Sequence, residues 1–138
     1  MMTDFYGNHL TTSTELALDN YDIGVRAFLS ANYGAKEAFS QAIEADPNFA
    51  LAYLGLVRAF MSSGQVLEAK AAFGNTKNLL AGLTSREKSH FLCCELILFG
   101  DAKKARLAVC EHVSEWPRDA MIAQMSTSVF GLIGFSGE

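Results

Sequence analysis

The amino-acid sequence predicts an all-α fold, a right-handed superhelical array of antiparallel helix pairs with about seven helices. Three observations predict it. Apolar residues recur at helical spacing, a small–aromatic–small pattern returns along the chain, and glycine or proline punctuates the intervals. Half the residues are hydrophobic, 19% are charged and only two are proline, so the chain is globular and biased away from strand.

The elements follow in order. A first helix is expected over 13–30, opened by Thr12-Ser13-Thr14-Glu15 as a reciprocal capping box. A second, over 34–46, carries Ala35, Phe39 and Ala42 four and three residues apart on one face and stops at Pro47. A third is expected over 48–63, with Pro47 suited to its first turn and Gly64 ending it. The fourth, over 65–81, repeats the pattern with Ala69, Phe73 and Thr76. Thr84-Ser85-Arg86-Glu87 is a second capping box and opens a fifth helix over 84–99, before Gly100. The sixth, over 101–115, places Ala105, Val109 and His112 in the same register and stops before Pro117; the seventh is expected over 119–134.

The register itself repeats. Ala35 and Ala69 stand 34 residues apart, Ala69 and Ala105 36, and Pro47 and Pro117 70. A two-helix unit of this period is a tetratricopeptide-like repeat. Alanine lets helices approach closely, the following Phe39, Phe73 or Val109 fills the gap, and Gly64 and Gly100 allow a tight turn between the helices of a pair. We divide the chain into units 13–47, 48–83, 84–118 and an incomplete 119–138, all within one helical-repeat domain spanning 1–138. Three departures stand out: Ser30 replaces the first turn glycine, Ala81-Gly82 replaces a proline, and His112 is large for a small-residue position.

Several stretches go beyond the general repeat pattern. They are Asp4-Phe5-Tyr6-Gly7 with Leu10, Thr12-Ser13 and Tyr21-Asp22, then Asp46-Pro47-Asn48-Phe49 and Leu83-Thr84-Ser85-Arg86-Glu87 with His90. Trp116-Pro117-Arg118-Asp119, leading to Phe130 and Leu132-Ile133-Gly134, completes them. Together they resemble the N-terminal part of the tetratricopeptide repeat protein 38 family, and Leu-Thr-x-Arg-Glu-x-x-His is the most specific piece of that resemblance. It implies an α-helical repeat protein whose further helices lie beyond this chain, and it brings no catalytic residues with it.

Composition narrows the partners. A net charge of −4 and a pI near 5.3 argue against nucleic acid, and the densest basic group, Lys103, Lys104 and Arg106, reads as a solvated helix face. The start lacks the features of a signal peptide, and the apolar run from Ala120 to Phe135 is too short and too polar for a membrane span. Three cysteines, two of them adjacent, make a poor disulfide framework; a cytoplasmic location is expected.

The one constellation that looks chemical is His90 with Cys93 and Cys94, which share a helical face. Structural zinc needs four ligands in paired spacing, and Cys110 and His112 fall on different helical faces, so packing is the better reading and no metal or cofactor is expected. Nucleophile-elbow, P-loop, dinucleotide-binding and zinc-protease motifs are absent. Glu15 and Glu87 are assigned to capping, and Glu44 and Asp46 have no nucleophile nearby, so a non-catalytic chain is expected.

The expected function is a protein–protein interaction scaffold that lays an apolar segment in an inner groove. Leu51, Leu54, Arg58 and Met61 would line it, with His90, Cys94, Ile97 and Leu98, then Met121, Gln124 and Ser128. The alternative is the N-terminal structural portion of a larger protein or enzyme whose site needs further helices. The seventh helix lacks a pairing partner in this sequence. Its side carrying Met121, Ile122, Met125, Val129, Phe130, Ile133 and Phe135 is expected to self-associate as a homodimer.

Overall fold

The computed structural model describes residues 2–132, with side chains placed through Ser126. Seven α-helices run in order: α1 (Glu15–Leu29), α2 (Ala35–Ala45), α3 (Ala50–Ser62), α4 (Val66–Gly74), α5 (Ser85–Phe99), α6 (Ala102–Glu115) and α7 (Ala120–Leu132). Consecutive helices pack together, α4 and α5 across an intervening 3-10 helix, Lys77–Gly82. The odd-numbered helices also meet one another, α1 with α3 and α7, and α3 with α5.

Side-chain choice explains the packing. Phe39, Phe73 and Val109 are fully buried, as the repeat pattern requires. The Phe39 ring lies so close to Gly24 of α1 and Gly55 of α3 that a Cβ on either glycine would stand 2.7 or 2.5 Å from it. Ala35, Ala69 and Ala105, four residues before Phe39, Phe73 and Val109, are buried as well. Phe73 stacks on Phe91 of α5 at 4.7 Å between centroids, which joins the second helix pair to the third. Gly64 and Gly100 both have positive φ, 77° and 92°; in the first pair the corresponding strain falls on Ala31, at 56°.

Four local expectations are corrected. The chain is not free of strands: Met2–Thr3 (β1) pairs antiparallel with His9–Leu10 (β2). The Asp4 carboxylate makes that hairpin by accepting from the backbone N–H of Tyr6 and Asn8, and Gly7 supplies positive φ. The first capping box does not form, because Thr14 is the cap and accepts from Ala17 N, while Thr12 turns to Asp46. The Thr84–Glu87 box does form. The fourth helix breaks after Gly74, where the buried Thr76 hydroxyl donates back to Phe73 O at 2.7 Å and competes with helical bonding. Lastly, Pro47 and Pro117 sit in turns and not in first helical turns; α3 and α7 begin three residues after them.

Candidate functional site

The most concentrated polar chemistry is a buried hub around Asp119. Helix α5 carries Arg86 and His90 one turn apart on one face, α6 brings His112 near its C-terminal end, and the turn after Trp116 delivers Asp119 just ahead of α7. One oxygen, Asp119 Oδ2, accepts from Arg86 Nη1 at 2.8 Å, His90 Nδ1 at 2.9 Å and His112 Nε2 at 2.9 Å. All four residues are buried. A carboxylate only accepts, so both imidazoles donate here, and in a neutral His112 ring Nδ1 accepts from the Ser89 hydroxyl at 2.7 Å.

The charges balance within the hub. Burial lowers the His90 pKa in spite of Asp119, so its imidazole is neutral at pH 7. Burial works against an ionised Asp119, but His90, His112 and Arg86 outweigh it and hold the carboxyl well below its usual range. The guanidinium of Arg86 supplies the compensating positive charge. Burial raises the thiols of Cys93 and Cys94 to about 12, so neither is a nucleophile at neutral pH.

The hub also fastens the N-terminal segment across the starts of α3, α5 and α7. Arg86 Nη2 donates to His9 O at 3.1 Å, and Asn8 Nδ2 donates to Arg118 O at 2.7 Å. Glu87 accepts from the Thr11 backbone and hydroxyl, both at 2.8 Å, while still capping α5 through Thr84 N. Asp46, ahead of α3, accepts from Thr12 Oγ1 at 2.7 Å and Ser13 N at 2.9 Å. Among the described residues every buried side-chain nitrogen and oxygen has a partner. A cleft of about 360 Å³, lined by Gly7, His9, Arg86, Trp116 and Arg118 among others, opens beside the hub.

The inner-face positions are placed differently from the expectation of an open groove. Leu51 and Leu54 are fully buried, and Arg58, His90, Cys94, Leu98 and Met121 nearly so, because the odd-numbered helices close on one another. Only Met61, Ile97 and Gln124 of that set are half-buried. Arg58 spans the gap, donating to Met121 O at 2.7 Å and to Gln124 Oε1, with its guanidinium 5.1 Å from the centre of the Phe28 ring. The surface expected to self-associate is corrected in part: Met121, Ile122 and Met125 belong to the chain's own core. Side chains of Ser128, Val129 and Phe130, and residues Ile133 and Phe135, lie outside the described part.

His90 and His112 meet, with ring centroids 6.0 Å apart, while Cys110 faces away from His112. Asp119 joins them, and that role was not read from the sequence. The available signal was the misfit of His112 at a small-residue position. Cys110 points outward and takes no part. No described helix is long and apolar enough to cross a membrane. Comparison with protein-family models, curated proteins and solved structures finds no match.

Proposed function

We propose that this chain is a non-catalytic interaction scaffold of tetratricopeptide-like repeats, wound as a right-handed superhelix and related to the tetratricopeptide repeat protein 38 family. The pairwise packing of successive helices, and the contacts α1 makes with α3 and α3 with α5, support the repeat reading. Its partner is an apolar helical segment of another cytoplasmic protein. The contact is confined to the part of the inner face around Arg58, because Leu51 and Leu54 are already closed off.

The observation that carries this reading is the contrast along the inner face. Leu51 and Leu54 are sealed, whereas Phe28 and Gln124, which contact Arg58, and Met61, three residues further along α3, remain half-buried. The hub does not compete as a catalytic centre on this reading, since Arg86, His90, His112 and Asp119 are engaged with one another. Selection from a display library of helical peptides should return apolar amphipathic sequences. Their binding should be lost in Met61→Glu and kept in Leu107→Glu, which changes an exposed residue of α6. Binders indifferent to Met61→Glu, or no binders at all, would refute the proposal.

A further inference from the structure

We propose that His90, His112 and Asp119 form a binding site for a divalent transition-metal ion such as Zn²⁺, with Arg86 as its built-in competitor. His90 Nδ1, His112 Nε2 and Asp119 Oδ2 lie within 4.8 Å of one another, and all three residues are buried. Both nitrogens stand 2.9 Å from the oxygen. Ligand atoms about 2.0–2.2 Å from an ion, at near-right angles, stand about 3 Å apart, so each nitrogen is already at ligating separation from the oxygen, while the two imidazoles, within 4.8 Å of one another, must close on the ion. Two imidazoles and one carboxylate suit first-row ions such as zinc, manganese or ferrous iron, and fit magnesium or calcium poorly.

The protons have somewhere to go. An ion at His90 Nδ1 moves that ring's proton to Nε2. An ion at His112 Nε2 displaces the proton that now points to Asp119, and a neutral ring carries it at Nδ1 instead. There it meets Ser89 Oγ, which changes from donor to acceptor without moving. A ligating histidine held at its second nitrogen by an outer hydrogen-bond partner is the usual arrangement. The obstacle is Arg86, whose charge sits 2.8 Å from the same Oδ2. Its second nitrogen already donates to His9 O, beside the cleft that Arg86 lines, so the side chain has a berth when the ion takes the oxygen. The ion would then tie α5, α6 and the start of α7 together.

The probes are zinc and cobalt alone, added to the whole chain. Dialysis against micromolar Zn²⁺ should leave one ion per chain. Co²⁺ should give visible ligand-field bands without a thiolate charge-transfer band, which separates this site from Cys93, Cys94 and Cys110. Ser89→Ala should weaken binding about 10- to 100-fold. His112→Gln keeps a donor toward Asp119 and should lose the ion, whereas Arg86→Gln should bind it more tightly. A wild-type chain that retains no ion, a thiolate band, or binding undisturbed in His112→Gln would each overturn the proposal.

Discussion

Replacing Gly55 with alanine puts one methyl group where the Phe39 ring already is. The new Cβ would stand 2.5, 2.6 and 2.8 Å from three ring carbons, against an ordinary contact of about 3.5–4.0 Å. The ring cannot simply retreat toward α1, because the Cβ direction of Gly24 is already 2.7 Å from it on that side. Overpacking of this kind costs about 1–3 kcal/mol, while alanine gains about 1 kcal/mol over glycine in a helix. With both sides blocked the cost lies toward its upper end, so Gly55→Ala should lose about 2 kcal/mol net. Gly74 is the control: it is also helical, and nothing lies within 4 Å of its Cβ direction. Gly74→Ala should therefore be neutral or stabilising by up to about 1 kcal/mol. Urea denaturation followed by far-ultraviolet circular dichroism measures both. Adding Phe39→Leu to Gly55→Ala should recover part of the loss, because the two changes couple. A Gly55→Ala protein as stable as Gly74→Ala would show that the wedge does not exist.

Two further outcomes follow from the buried carboxylates. Asp119→Asn removes the counter-charge of buried Arg86 and should cost about 3–5 kcal/mol, whereas Asp101→Asn, at an exposed pair, should cost at most about 1 kcal/mol; equal effects in urea titration would contradict the hub. Burial opposes ionisation of Asp46, but hydrogen bonds from Thr12, Ser13 and Asn48 outweigh it and lower its pKa from 3.8. Its stabilisation is therefore complete above that value and lost as pH falls through the depressed one. Asp46→Asn should make the acid limb of the stability curve shallower, by up to about 1.4 kcal/mol per pH unit, and an unchanged limb would exclude Asp46 as an anchor.

Helix order and the buried small–aromatic register were legible because they rest on local spacing, as Ala69 with Phe73 and the Thr84–Glu87 box illustrate. What escaped depended on partners distant in sequence. Thr12 looked like a cap for α1, but Asp46 offers its hydroxyl a charged acceptor at 2.7 Å. Glu87 does cap α5, yet its same carboxylate also holds Thr11, 76 residues away. Asp119 stood in the Trp116–Asp119 stretch with no role assigned to it, and gains one only when α5 and α6 bring Arg86, His90 and His112 to one oxygen. Leu51 and Leu54 were read by analogy with an open inner face, and no local pattern indicates how tightly successive helices close.

The central claim, that the inner face at Leu51 and Leu54 is closed by the chain itself, is tested most directly by thiol accessibility. Cys94 lies on that face and is buried together with Cys93, both with thiols raised to about 12, while Cys110 is exposed on α6. Mass spectrometry after brief treatment with a maleimide at neutral pH assigns each label. The account predicts prompt labelling of Cys110 alone, with Cys93 and Cys94 modified only once the chain is unfolded. Labelling of Cys94 as fast as Cys110 in the native protein would contradict it.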